Sequence, residues 1–301
     1  MNESAPLAPI EPAFAEAAAF IEATLDALLP KASGPEARLM EAMRYAVMGG
    51  GKRLRGFLVL QSGRLFGVDR RALGRVAAAV ECLHAYSLVH DDLPAMDDDD
   101  MRRGKPSLHK AFDEATAILA GDALLTLAFG LIASPEAHGD PFIRCELIAK
   151  LASAAGYGGI VGGQMMDLAL EGSSAPLPEI TRLVRMKTAA LITFACETGP
   201  IMGRASASAR QALSAYGQEL GLAFQIADDL LDLEGTVEET GKQVGKDEAR
   251  GKATVASVLG RERARAQAEA MVAQAAAHLD LFDEKADLLR AAARFVVARK
   301  A

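Results

Sequence analysis

An all-α fold is what this chain predicts, as a single large bundle of about ten helices around a central cavity. Three observations carry that reading. Ala and Leu dominate the composition, the long β-branched alternations that mark strands are missing, and apolar residues recur at helical spacing along nearly the whole chain. At 301 residues the chain could hold one domain or two; no composition break divides it, so one domain over 1–301 is expected, with about the first ten residues as a flexible tail. No strand is expected.

The periodicity places helices over 12–29, 34–48, 54–66, 70–93, 113–133, 141–154, 178–198, 205–233, 252–259 and from 261 to the end. Short connectors rich in Gly, Pro or Ser separate them. Gly49-Gly50-Gly51 ends the second helix, and Pro94 disfavours helical geometry at Leu93, ending the fourth. The stretch 115–135 has Asp122 as its one charge and is long enough to cross a bilayer, yet Gly121-Asp122 interrupts it. It reads as a bundle helix buried on every side, so no membrane span is expected. Residues 234–250 form a long charged loop of the kind that more often covers a site than spaces two elements.

The formal charge is −7, from 40 acidic and 33 basic residues. The excess is local. Without the aspartates of two short stretches, acids and bases stand near parity, so no nucleic-acid-binding surface is indicated. Cys82, Cys145 and Cys196 are widely spaced and odd in number, which argues against a disulfide framework and a zinc site and fits a reducing cytoplasm. The N-terminal ten residues lack the basic and apolar blocks of a signal peptide.

Those two stretches, Asp91-Asp92-Leu93-Pro94-Ala95-Met96-Asp97 with Asp98 to Asp100 behind it, and Asp228-Asp229-Leu230-Leu231-Asp232, are the functional signal. Each ends an apolar helical run. Carboxylates crowded at an apolar rim repel one another unless a counterion sits among them, and Mg²⁺ with substrate phosphates is the natural one for an all-oxygen site. Asp228 and Asp232, four apart, share one helix face. Asp91 and Asp97, six apart, would diverge on an unbroken helix, but the turn at Pro94 can swing Asp97 back. Asp98 to Asp100 read mostly as a solvated acidic loop.

Cations stand nearby. Arg102-Arg103-Gly104-Lys105 reverses the sign directly after the first stretch, as a metal-bridged diphosphate requires, since guanidinium forks pair oxygens that the metal leaves. Lys52 and Arg55 open a helix whose N-terminus already prefers anions. His84 lies two turns before Asp91, Lys187-Thr188 sits in an apolar run, and Gln225 stands one turn before Asp229. Taken singly, His84 reads as a core histidine and Lys187 as a snorkelling lysine; taken together they suit a diphosphate with a hydrocarbon tail.

These residues resemble the trans-isoprenyl diphosphate synthases, most closely the bacterial farnesyl diphosphate synthases. The likeness runs from Gly49-Gly50-Gly51-Lys52-Arg53-Leu54-Arg55 through Glu81 to His90, Gly162-Gly163-Gln164, Met186-Lys187-Thr188, Phe224-Gln225 and Gly251-Lys252-Ala253-Thr254 to the basic C-terminus. It implies an all-α prenyl synthase bundle acting as a homodimer, with three Mg²⁺ per active site. By the same resemblance Asp91, Asp97 and Asp228 are metal ligands, with Asp92 and Asp232 supporting them. Lys52, Arg55, His84 and Arg103 resemble the isopentenyl diphosphate site, and Arg102, Lys187, Lys242 and Lys252 the allylic diphosphate site. Thr188 and Gln225, with Lys187, resemble the groups facing the allylic cation, and Tyr86 and Ser87 stand where chain length is set.

The implied reaction condenses isopentenyl diphosphate with dimethylallyl or geranyl diphosphate to farnesyl diphosphate. Geranylgeranyl or geranyl diphosphate synthesis, a terpene cyclase and a non-catalytic synthase subunit are the alternatives. Lys52, Arg55 and His84 weigh against a cyclase, and the intact Asp stretches against an inactive subunit. Two departures stand out: Gly56 where the resembling proteins usually have proline, and Ala227 where a basic residue is common.

Overall fold

Ala, Val and Leu crowd the chain between residues 70 and 91, so that segment is best buried on all sides, and the fold is built around it. A computed structural model describes residues 10–234 and 252–298. In it α1 (Ile10–Leu28), α2 (Ala37–Val47) and α3 (Leu54–Arg64) lead to α4 (Arg70–Asp91), in which Val76 to Val80 are fully buried. Asp69 caps α4, accepting the backbone N–H of Arg71 and Ala72 at 3.0 Å and satisfying two donors that the first turn leaves open.

There follow α5 (Leu108–Ala111), α6 (Glu114–Ala133), α7 (Pro141–Ala155), α8 (Ile160–Leu170), α9 (Leu177–Val184), α10 (Ala190–Met202), α11 (Ala207–Glu234), α12 (Val255–Leu259), α13 (Arg261–Ala277) and α14 (Asp287–Ala298). The all-helical reading is borne out. Close approach of helices rests on small residues. A Cβ on Gly199 of α10 would lie 2.2 Å from the backbone of Ser62 in α3, and one on Gly121 of α6 would strike the His90 ring at 2.1 Å. Buried Tyr216 of α11 donates its hydroxyl to the Leu289 carbonyl at 2.7 Å, tying α11 to α14. Fully buried Phe57, Leu83 and Phe194 each contribute roughly 1.5–3 kcal/mol by leaving water.

Several details differ from the sequence reading, among them the short α5, which no expected helix covers. Met101–Arg102 and Lys105–Pro106 pair as a small antiparallel hairpin where no strand was expected. α8 was not expected, because glycines at 156, 158, 159, 162 and 163 resemble a loop. The 178–198 helix is interrupted by a π-helical turn, Arg185–Ala189. The final helix breaks at Asp283, whose φ of 48° lies outside helical space, between α13 and α14.

By length and composition two described helices, α4 and α6, are apolar enough to cross a membrane. α4 is mostly buried in the bundle. The expectation that α6 is buried on every side is corrected: only 39% of its most apolar window is covered, and Ile118 and Leu119 are 44% and 56% exposed.

Candidate active site

Both Asp stretches sit at helix ends. α4 stops at Asp91, and the chain turns at Pro94 so that the Asp97 N–H donates to the Asp91 carbonyl at 2.7 Å and the Asp99 N–H to the Asp92 carbonyl at 3.2 Å. Asp97 is thus folded back toward Asp91, as the proline predicts. Burial raises the Asp91 carboxyl to about 6, with Lys187 opposing and Asp97 adding to the rise. The cause is physical: a carboxylate losing water beside another carboxylate holds its proton more tightly.

Asp92 serves a different end. It is buried, and Arg102 grips it through Nε at 3.0 and 3.2 Å and through Nη2, while also reaching Asp99 at 3.5 Å. The hairpin therefore delivers Arg102 to the first Asp stretch as a fork on a carboxylate. Arg103, one residue on, points the other way and donates to the Gly50 carbonyl at 2.6 Å; a Cβ on Gly51, at φ 109°, would lie 3.1 Å from its guanidinium carbon. Glycine suits the backbone there, and its missing Cβ leaves the guanidinium room.

The start of α3 meets the same end of α4. Arg55 Nη1 lies 3.3 Å from His84 Nε2, and its guanidinium carbon lies 5.7 Å from the Phe224 ring centroid on α11. Burial first, and then Arg55 and Arg103, hold the His84 pKa well below the ordinary imidazole range, so His84 is a neutral acceptor toward Arg55. Lys52 is exposed, its ammonium 4.8 Å from the Phe295 ring centroid. Arg53 belongs to the core. It donates to the Val47 carbonyl at 2.7 Å and faces buried Glu81 at 3.4 Å, whose other oxygen accepts the Gly56 N–H at 2.9 Å. Proline at 56 would remove that donor, so the Gly56 departure has a local use. Ala227 is buried.

A chain of polar contacts links the first Asp stretch to the helix bearing the second. Lys252 Nζ bridges Asp97 at 3.1 Å and Asp167 at 3.2 Å, and Asp167 accepts from Lys187 Nζ at 2.6 Å. The next residue, Thr188, donates its hydroxyl to Gln225 Oε1 at 2.7 Å, and Gln225 Nε2 donates to buried Asp229 at 2.9 Å. Lys187 and Thr188 lie in the π turn, which supplies an extra residue to the helix and so re-aims consecutive side chains. Gly163 makes room for it: a Cβ there would fall 2.4 Å from the Lys187 backbone nitrogen.

Asp232 Oδ2 is buried with no hydrogen-bond partner among the described residues. Together with the raised Asp91 carboxyl, this oxygen-only, electron-rich set fits a hard divalent cation. Tyr86 and Ser87 lie one turn deeper on α4 and are buried; the Tyr86 ring stands edge-on to His90 at 5.2 Å, and the Ser87 hydroxyl donates to the His84 carbonyl at 2.9 Å. Lys242 lies outside the described residues, as does most of the charged loop.

Sequence reasoning missed Asp167 and treated Gln164 only as part of a motif. Gln164, one turn before Asp167, has both amide atoms buried without a partner among the described residues. Had α8 been recognised, the three-residue step from Gln164 to Asp167 would have put two polar groups on one face of an otherwise apolar helix.

Comparison with known proteins agrees with this geometry. The polyprenyl synthetase family model matches residues 36–290, which includes both Asp stretches and every described site residue. The chain belongs to the polyprenyl synthetase family. A farnesyl diphosphate synthase of Escherichia coli (strain K12) is 45% identical over 268 residues, covering 87% of this chain and 89% of the relative. A crystal structure of an FPP/GFPP synthase from Zymomonas mobilis superposes with a TM-score of 0.88 at 50% identity, covering 96% of this chain and 99% of that one. A geranyltransferase from Helicobacter pylori, solved in complex with magnesium and isoprenyl diphosphate, gives a TM-score of 0.83 at 30% identity over 98% of each chain. Family membership makes the Asp stretches and the cations around them one candidate active site.

Proposed function

We propose that this chain is a farnesyl diphosphate synthase, condensing isopentenyl diphosphate with dimethylallyl and then geranyl diphosphate and releasing pyrophosphate. The observation that carries the reading is the polar chain from Asp97 through Lys252, Asp167 and Lys187 to Thr188, Gln225 and Asp229, since it brings the two carboxylate stretches to one mouth. Asp91, Asp97 and Asp228 would hold Mg²⁺, with Asp92 and Asp232 in support, and three ions per site would balance the allylic diphosphate trianion together with the carboxylates that hold them. Bound there, Mg²⁺ would supply the positive charge that makes diphosphate a competent leaving group.

The chain's own residues do the remaining work. Arg102, Lys187, Lys242 and Lys252 bind the allylic diphosphate, and Lys52, Arg55, His84 and Arg103 the isopentenyl diphosphate. As the allylic C–O bond ionises, the Thr188 hydroxyl oxygen and the Gln225 amide oxygen present negative dipoles to the cation. The isopentenyl double bond attacks it, and the leaving pyrophosphate takes the final proton. Buried Tyr86, with Ser87, closes the far end and stops growth at farnesyl.

Magnesium and isoprenyl diphosphate in the Helicobacter pylori structure support the cofactor and substrate class. Three free cysteines support a reducing, cytoplasmic setting. Incomplete cover over α6 supports a homodimer, in which a second copy would bury Ile118 and Leu119. The test is to incubate purified protein with labelled isopentenyl diphosphate, Mg²⁺ and each allylic diphosphate in turn and to size the products. Farnesyl diphosphate as the main product supports the reading; mainly geranylgeranyl diphosphate would shift it to the longer-chain alternative.

A further inference from the structure

The aspartates behind the first stretch do not act alike. Asp99 turns inward and is buried against Arg102, whereas Asp98, held at φ 45° with its N–H donating to the Leu93 carbonyl at 3.1 Å, and Asp100 both face outward. The hairpin then closes. Its register pairs Met101 with Pro106, the Ser107 N–H donates to the Asp100 carbonyl at 2.9 Å, and two residues later His109 enters beside the same root. One carboxylate oxygen from each of Asp98 and Asp100 and a ring nitrogen of His109 all lie within 4.8 Å of one another.

His109 supplies the independent observation. It is 7% exposed, and its Nε2 is buried with no hydrogen-bond partner among the described residues. Its Nδ1 lies 3.2 Å from the Ser107 hydroxyl. A metal-binding histidine is commonly held this way, one ring nitrogen fixed by an oxygen and the other left to coordinate. Without a ligand, a buried imidazole nitrogen facing no partner costs about 1–3 kcal/mol.

We propose that Asp98, Asp100 and His109 form a second divalent-cation site, separate from the carboxylates of the catalytic mouth, that takes a first-row transition ion such as Zn²⁺ in preference to Mg²⁺. The mixed set of one imidazole and two carboxylates selects it, because Mg²⁺ favours oxygen ligands alone. Zn–ligand distances of about 2.0–2.2 Å need the carboxylates to close slightly, which their exposure permits. Lys110 competes: its ammonium lies 2.9 Å from Asp100, in a pair exposed enough to be weak. An ion here would staple both ends of the hairpin that carries Arg102 and Arg103.

The test is equilibrium binding of Zn²⁺ to the full chain in excess Mg²⁺, with zinc-edge X-ray absorption at one equivalent. The wild type should show an imidazole in the zinc shell and bind one more Zn²⁺ than Asp98→Asn/Asp100→Asn, whose exposed positions leave folding intact. His109→Gln should lose the imidazole signal, and Lys110→Ala should tighten Zn²⁺ several-fold. Equal stoichiometry in wild type and the double variant, or an imidazole signal that survives His109→Gln, overturns the site. Neither readout depends on which prenyl diphosphate is made.

Discussion

Lys187 donates to Asp167 at 2.6 Å from the one turn of π-helix in the described chain, and the same carboxylate oxygen also receives Lys252 at 3.2 Å. Two lysines are held apart at the mouth by a single anion. Asp167→Ala should leave them repelling each other and misaimed, lowering kcat/KM for the allylic substrate about ten- to a hundredfold, the equivalent of a charge-assisted bond of about 1.5–3 kcal/mol. The Michaelis constant for isopentenyl diphosphate should stay within about twofold. Steady-state kinetics with each substrate varied in turn checks this, and equal effects on both would remove Asp167 from its positioning role.

Asp91→Ala or Asp228→Ala should abolish turnover with the helical fold intact. At Asp91 burial and the neighbouring Asp97 already disfavour the charged form, so removing that carboxylate puts little native stability at stake, and Asp228→Ala likewise removes a proposed metal ligand near the end of a helix. Circular dichroism and a product assay read the two halves. Near-normal activity in Mg²⁺ would sink the metal assignment.

Arg55→Ala removes the guanidinium that pairs with neutral His84. It should raise the Michaelis constant for isopentenyl diphosphate by about tenfold or more and leave that of the allylic substrate nearly unchanged. A parallel rise in both would dissolve the division of the mouth into two diphosphate sites.

Gly163→Ala tests the packing beneath the π turn. The added Cβ would fall 2.4 Å from the Lys187 backbone nitrogen, so α8 or the turn must move. A cost of about 1–3 kcal/mol is expected, together with loss of activity, because the same displacement re-aims Lys187 and Thr188. Thermal melting beside kinetics separates it from Gly104→Ala, where a Cβ meets nothing within 4 Å and only the backbone, at φ 73°, resists.

Tyr86→Ala should lengthen the product. The ring lies five residues before Asp91, roughly 7.5 Å down the helix at 1.5 Å per residue, and it is buried. Product sizing should shift from farnesyl toward geranylgeranyl diphosphate with the metal requirement unchanged. Unaltered farnesyl output at normal rate would move the floor toward Leu124 and Leu125 of α6.

Much of this was legible in the chain because its signals are local. Pro94 fixes the turn that returns Asp97 to Asp91, and helical spacing aligns Asp228 with Asp232. What stayed hidden depends on tertiary contact. α8 reads as loop because Gly162 and Gly163, poor helix formers, are there for close approach to Met186 and Lys187. Asp167 was invisible with it. The π turn has no sequence signature of its own, and the hairpin at 101–106 is too short to show alternation. Arg53, which stands between Lys52 and Arg55 in the basic stretch, is buried against Glu81, a pairing between helices that spacing along one helix cannot reveal.

The central claim is that the two Asp stretches act as one metal site, and a crystal grown with Mn²⁺ and a non-ionisable allylic thiolodiphosphate tests it most directly. Anomalous density should show ions bound to Asp91 and Asp97 on one side and to Asp228 on the other, sharing the diphosphate between them. Ions on one stretch alone, or a diphosphate bound without contact to either, would contradict it.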